Sequence, residues 1–348
     1  MRTSKRTAFL VAEKTTASKS DSRAIMRGFS INQTRGVKKM KYEKWLYEWL
    51  EHYVKPTAKS RTHSRYSEIV AQHIVPKLGE YELEELTPSV LQHYITELLQ
   101  KGNIKTGAGL AANSVSSIVN VVQNSLRTAF NLGYTKEYTA DKIKRPKTQE
   151  KEVCCFSVQE QKMIEQEVLQ SKKDKMFGIM ICLYSGLRIG ELLALKWSDI
   201  DLQKGYLTVL RSCHDGKASN GKYGRIEDTP KTLSSRRVIP LPKQLLPLIK
   251  EAKRKSNSEY VVSKSGKPLS VRSYQRSFEL LQKKIKIPHR GFHSLRHTFA
   301  TRALECGMDV KTLSEILGHK SPNVTLNRYV HSLMEHKQDM MNRLGKLL

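Results

Sequence analysis

Apolar positions recur at helical spacing from about Lys41 to Tyr138, and this period predicts a cluster of helices. The stretch Tyr42 to Tyr53 is dense in Trp, Tyr and Leu, and a second helix is expected over Ser64 to Val75. Thr87 followed by Pro88 reads as an N-cap with a first-turn proline. Behind them Leu91, Tyr94, Ile95, Leu98 and Leu99 share one helical face. Asn113 is the expected cap of a further helix, whose stripe is Val115, Ile118, Val119, Val122, Leu126, Ala129 and Phe130 and whose stop is Gly133. No strand alternation interrupts the pattern, so residues 41–138 are predicted as a small all-helical domain.

The pattern changes after a polar, charged, proline-containing stretch at 139–156 that reads as a linker. Ser157-x-x-Glu160 is a capping box ahead of a helix. A buried helix is expected over Lys175 to Tyr184, leading into Ser185-Gly186-Leu187-Arg188. Strand-like runs follow at Tyr206 to Leu210, about Gly224 to Glu227, and Arg237 to Leu241, and helices dominate from Ser270 onward. Residues 157–335 therefore read as a mixed, mainly helical domain with a small antiparallel sheet, and the fold class as α+β. Residues 336–348 carry Met340, Met341, Leu344, Leu347 and Leu348 at a spacing that suits a short amphipathic helix.

Charge narrows the function. The chain has 348 residues, with 61 Lys plus Arg against 33 Asp plus Glu, a net charge of +28. So large an excess repels itself, and a polyanionic partner, above all nucleic acid, is the simplest reason to carry it. Residues 1–40 hold ten of the basic residues and read as a flexible arm able to track phosphates. The longest apolar run, Met176 to Leu187, falls short of the roughly 20 residues of a membrane span. No secretory signal opens the chain. Five cysteines without C-x-x-C spacing indicate neither a disulfide framework nor a zinc site, and a reducing cytosol is expected.

Four ordered motifs carry the chemistry: Y-S-G-L-R-I-G-E-L-L-A-L-K-W-S-D-I-D from Tyr184, T-P-K-T-L-S-S-R-R-V-I-P-L from Thr229, H-S-L-R-H-T-F-A-T from His293, and L-G-H-K-S-P-N-V-T-L-N-R-Y from Leu317 to Tyr329. Together they resemble the tyrosine recombinase (phage integrase) family over residues 157–335. Residues 41–138, with L-T-P-S-V-L-Q from Leu86, resemble that family's SAM-like core-binding domain. The resemblance implies a site-specific recombinase of a phage or integrative mobile element, with the two domains clamping the duplex. Its partners would be double-stranded DNA attachment sites and three further copies in a homotetramer, since two duplexes present four cleavage positions. An excisionase or host DNA-bending protein is an accessory class it leaves open. It implies no cofactor, no metal and no membrane, and a place at the nucleoid in a bacterial cytosol.

The residue types fit that chemistry. Attack on a phosphodiester builds negative charge on the non-bridging oxygens, and a guanidinium fork donates paired hydrogen bonds while staying charged. Arg188 and Arg296 are the candidate forks, and Arg296 lies one turn after His293. Tyr329 is the candidate nucleophile; a phenol with a pKa of about 10 needs cations and a proton acceptor nearby, which His293, His319 and the arginines would supply. By resemblance Lys231, read as sitting in a hairpin turn between the strand-like runs, is the general acid for the leaving 5′ oxygen, with Lys217, Lys222 and Lys264 as weaker rivals. By the same resemblance Glu191 is a structural acid that braces an arginine or the fold, with Asp228 in a similar supporting role. His293 and His297 four residues apart, and Asp199, Asp201, Glu227 and Asp228 as a carboxylate set, are remote metal alternatives. A type IB topoisomerase and a non-catalytic DNA-binding regulator are the rival functions. The polar stretch Arg211 to Arg225 reads as an insertion ahead of Lys231.

Overall fold

The computed structural model describes residues 39–147, 154–171, 173–217, 223–228, 236–319 and 321–329, with 341, 342 and 345 of the tail. The basic arm up to residue 38, Lys222, Lys231 and nearly all of the amphipathic tail lie outside the described residues. The chain divides into two compact units between 149 and 150.

The first unit is helical. Helix α1 (Tyr42–Trp49) continues as a π-helical turn over Leu50–Val54. Its Tyr42, Trp45, Leu46 and Trp49 are buried against α5 (Ala112–Asn131), whose Val115, Ile118, Val119, Val122, Leu126 and Ala129 are buried as the periodicity predicts. Ser125 lies fully buried on that face and is satisfied twice: its Oγ is 2.7 Å from the Tyr42 hydroxyl, and its carbonyl accepts from the Trp45 indole at 3.1 Å. Thr87 caps α4 (Pro88–Lys101) by accepting from the Val90 amide. Beyond α5, Gly133 takes φ +78°, and the amides of Gly133 and Tyr134 close on the carbonyls of Phe130 and Ala129.

Two expectations change here. The second helix runs as α2 (Ser60–Ile69), a π turn (Val70–Ile74) and α3 (Val75–Leu78), so it starts at Ser60 rather than Ser64 and passes beyond Val75. α2 buries none of its residues, so apolar spacing carried no signal for its start. Asn113 is not the cap of α5 but sits inside its first turn, exposed, after Ala111 and Ala112. Alanine is the strongest helix former and extends the helix past the polar residue.

The second unit is built around α7 (Phe177–Ser185), almost wholly buried, with α6 (Val158–Gln170), α8 (Ile189–Leu193), α10 (Val271–Lys284) and α11 (His293–Glu305) packed about the same core. The Ser157–Glu160 capping box opens α6 with both hydrogen bonds formed. A three-stranded antiparallel sheet has the order β1 (Ile200–Asp201), β2 (Tyr206–Val209), β5 (Arg237–Pro240), with Leu207 opposite Ile239. A small hairpin, β6 (Ser263–Lys264) with β7 (Lys267–Pro268), turns through Ser265 and Gly266 at positive φ. Helices α9 (Leu246–Lys255), α12 (Val310–Leu317) and α13 (Pro322–Tyr329) complete the unit. Among the described residues no helix is long and apolar enough to cross a membrane.

The stretch read as a polar insertion is a second sheet. β3 (Ser212–Lys217) pairs antiparallel with β4 (Tyr223–Asp228). Its residues, S-C-H-D-G-K, show no apolar alternation because a backbone ladder and polar anchors hold it. The Asp215 carboxylate accepts from the Val271 and Arg272 amides at 3.0 and 2.9 Å, capping α10 from another element. Lys231 lies outside the described residues; what the structure gives is the pairing of the strands on either side of it. β4 and β5, which flank residues 229–235, belong to different sheets; β5 pairs with β2, and the β3–β4 hairpin is inserted in the β2–β5 connection.

Asp215→Ala is expected to cost about 1 kcal/mol, as lost helix caps do, and to speed hydrogen exchange at the Val271 and Arg272 amides. Asp228→Ala, which loses a half-exposed pair with His214, is expected to stay within about 0.5 kcal/mol of wild type; urea unfolding of both variants checks the two figures.

Candidate active site

The site grows from the end of a helix. α12 stops at Leu317, and Gly318 reverses the chain at φ +65°, ψ +49°. The amides of Gly318 and His319 bond back to the carbonyls of Glu315 and Ser314, both at 3.0 Å. The next three carbonyls point at three arginines. Ile316 O accepts from Arg237 Nε at 2.5 Å, Leu317 O from Arg296 Nη2 at 2.8 Å, and Gly318 O from Arg188 Nη2 at 3.2 Å. A helix C-terminus carries partial negative charge, so it is a natural seat for cations. A side chain at 318 would press on Arg237, with a Cβ 3.1 Å from its guanidinium, and the left-handed backbone also favours glycine.

Each arginine arrives from a different element. α7 ends in Gly186 at φ +64°, and Arg188 follows as the N-cap residue of α8. A Cβ at 186 would lie 2.5 Å from Phe299 and 2.8 Å from Leu317, so only glycine permits this approach. The Gly186 carbonyl accepts from Arg296 Nη1 at 2.8 Å. Arg296, on α11, is 2% exposed and also places Nη2 2.9 Å from His319 Nε2. Arg237 comes from β5. Its two terminal nitrogens straddle the Glu191 carboxylate at 3.0 and 2.9 Å, while Arg188 reaches the same carboxylate with Nη1 at 2.8 Å and its amide at 2.9 Å. Glu191 thus braces two arginines.

The structure brings Arg188, Arg296 and His319 together around residues 316–319. Tyr329 is the last residue of α13, one turn after Thr325, whose hydroxyl is 2.7 Å from His319 Nδ1. His293 begins α11 three residues before Arg296, but the two are not alike in burial: the arginine is turned inward, while His293 is exposed and meets His297 edge-on, with ring centroids 4.5 Å apart. Asp228 pairs with His214 across the β3–β4 hairpin, so what it supports is that hairpin. Asp199 and Glu227 hold Arg211, and Asp201 caps the turn amides of Gln203 and Lys204. Among the described residues no group of three His, Cys, Asp or Glu could hold a metal. Lys217 ends β3 and Lys264 lies in β6, each on a separate hairpin.

Sequence profiles agree with this assembly. The profile of the phage integrase family matches residues 156–336, and that of the phage integrase N-terminal SAM-like domain matches residues 41–99. The chain belongs to the phage integrase family. Among its relatives is a tyrosine recombinase XerC-like protein of Caldanaerobacter subterraneus, 28% identical over 87% of this chain and 82% of the relative. The ICEBs1 integrase of Bacillus subtilis is 25% identical over 80% of this chain and 76% of its own. Among solved structures, the Tn1549 transposon integrase in complex with circular-intermediate DNA superposes with a TM-score of 0.73 at 20% identity, covering 88% of this chain and 99% of that one. A lambda integrase dimer bound to a core site gives 0.64 at 18% identity, covering 89% and 85%. This tyrosine recombinase is a site-specific enzyme that cleaves and rejoins DNA strands and moves a genetic element.

Two residues of the recombinase's site escaped the sequence. Arg237 is one of two adjacent arginines in S-S-R-R-V-I-P, and the signal that singles it out is strand alternation, which puts it on the face of buried Ile239. Thr325 sits four before Tyr329, a spacing that shares a helical face.

Burial alone would push the Glu191 carboxyl up, but Arg237 and Arg188 hold it down at about 2 against an ordinary 4.5. The folded group therefore ionises below the unfolded one. Its stabilisation is whole above about pH 4.5 and disappears as pH falls toward 2. Glu191→Gln is expected to unfold more easily than wild type at pH 7, by about 3 kcal/mol from that difference. The gap should shrink steadily below pH 4.5. Urea unfolding across this range checks it, and a constant gap would refute the ion-pair account.

Proposed function

We propose that Tyr329 is the nucleophile and that Arg188 and Arg296 hold the scissile phosphate. The observation that carries this is their convergence on the neighbouring carbonyls of Gly318 and Leu317, beside His319 and on the segment that leads into the Tyr329 helix. Two guanidinium forks brought so close favour a group with negative charge on several oxygens. The Tyr329 oxygen attacks phosphorus and the bond to the 5′ oxygen breaks, leaving a 3′-phosphotyrosine link. A neutral histidine, His293 or His319, accepts the phenol proton and only then adds its charge to that of the arginines. Lys231 protonates the departing 5′ oxygen, a role that its resemblance to the family's lysine motif supports. A 5′ hydroxyl from the partner duplex then attacks the phosphotyrosine, so the bond energy is kept and no ATP is consumed. Fixed cations meet the developing charge that a metal would otherwise meet.

The substrate is a pair of double-stranded attachment sites, and four copies of the chain act on them. A lambda integrase tetramer bound to a Holliday junction, a related fold at 20% identity and TM-score 0.61, supports that stoichiometry by analogy. Residues 336–348 dock on a sister protomer, and an excisionase or DNA-bending protein sets direction. The work is done in the bacterial cytosol, where the DNA lies.

The test is a nicked suicide duplex spanning the element's own attachment site. Wild type should form a covalent adduct, in EDTA as well as without it. Tyr329→Phe should bind this DNA and form none; an adduct in that variant would move the nucleophile elsewhere. Lys231→Ala should slow cleavage by about 10²–10⁴-fold, the usual worth of a general acid. A 5′-thiol leaving group, which needs no proton, should restore it.

A further inference from the structure

Thr325 is fully buried in α13, while its neighbours Val324 and Leu326 are 46% and 43% exposed. A hydroxyl removed from water must be bonded, and this one lies 2.7 Å from His319 Nδ1. The other ring nitrogen, Nε2, lies 2.9 Å from Arg296 Nη2. A guanidinium only donates, so Nε2 accepts there. The ring is then neutral, its proton sits on Nδ1, and Nδ1 donates to Thr325 Oγ1. A half-buried chain of bonds thus runs from Arg296 through His319 to Thr325, and residue 329 follows one helical turn later.

We propose that Thr325 is a positioning residue that fixes His319 in its Nδ1–H tautomer and ties the helix carrying Tyr329 to the phosphate-holding Arg296. The inference rests on Tyr329 being the nucleophile. Thr325 itself touches no reacting atom. It sets the depth and rotation of an eight-residue helix, and it leaves Nε2 as the ring's basic nitrogen facing the arginine. Attack at phosphorus demands near-attack geometry, and a displacement of about 1 Å costs about 10²-fold in rate. Valine has threonine's shape without its hydroxyl, so it tests the bond with the packing kept. Serine keeps the hydroxyl and loses a methyl group.

The full-length chain is tested as wild type, Thr325→Val, Thr325→Ser and Tyr329→Phe on the nicked suicide duplex. Adduct formation is followed at saturating DNA, and affinity is measured separately. Thr325→Val should bind DNA within about twofold of wild type yet form adduct about 10²-fold more slowly. Thr325→Ser should recover the rate to within a few-fold. Nitrogen-15 spectra of labelled histidines should show the Nδ1–H form of His319 in wild type and its loss in Thr325→Val. A wild-type cleavage rate in Thr325→Val, beside an inert Tyr329→Phe, overturns this inference and leaves the proposed function standing. An adduct in Tyr329→Phe overturns the proposed function itself. If Thr325→Val does not fold, the wild-type spectrum decides, because an Nε2–H tautomer in the wild type refutes the bond as drawn.

Discussion

A helix that ends inside a protein leaves its last carbonyls to be satisfied by something else. In the phage integrase chain this requirement is what assembles the site. The glycine reversal at 318 takes the carbonyls of Ser314 and Glu315, and the three that follow are taken by Arg237, Arg296 and Arg188 in sequence order 316, 317, 318. Three cations from β5, α11 and the α8 N-cap are thereby indexed to consecutive residues of one segment. Consecutive carbonyls lie only a few ångströms apart, so the guanidiniums cannot drift relative to one another without breaking a bond to the backbone. Gly186 provides the other half of the frame, because its carbonyl holds Arg296 two residues before Arg188.

Such a cluster is electrostatically unfavourable by itself. Three guanidiniums face one carboxylate, and Arg237 and Glu191 are each only 6% exposed at the side chain. Burying charge is costly unless it is paired and fully bonded. Glu191 meets that condition for two of the three, and the helix end supplies partial negative charge to all of them. What is left is a net positive excess held rigid beside a histidine. Preorganised charge of this kind would cost no reorganisation when a phosphate oxygen gains charge, which is how the proposed site would accelerate strand cleavage. The overall +28 charge acts at longer range, drawing the duplex in but not choosing the phosphate.

Much of this was legible in the sequence. The buried faces of α4 and α5, the capping box at Ser157 and the strands at Tyr206 and Arg237 follow from period and cap chemistry, because burial on one face leaves an apolar stripe. The family resemblance rested on ordered motifs, and the structure gathers their Arg188, Glu191, Arg296 and His319 at one helix end. What was not legible had no apolar signature. α2 buries nothing, and β3 is held by a backbone ladder and by Asp215 reaching α10. The partnership of Arg237 with Ile316 joins positions 79 residues apart. No local pattern encodes a bond between a strand and the end of a helix that the chain has yet to make. The shared sheet of β2 and β5 was hidden for the same reason, since a whole hairpin is inserted between them.

The path from His319 toward residue 329 joins the cationic frame to the helix that carries the proposed nucleophile. A tyrosine on a helix of its own would sample many positions, and most of them would hold its oxygen out of line with the phosphorus–oxygen bond to be broken. The chain limits that freedom at both ends of a short segment. Gly318 fixes where the segment leaves α12, and the buried Thr325 fixes where α13 returns to the histidine that Arg296 already holds. The proposed phosphate grip and the proposed attacking group are thus referenced to the same three residues, 317 to 319. A shift in either would carry the other with it, so their relative geometry survives motions of the surrounding domain that would separate two independently mounted groups.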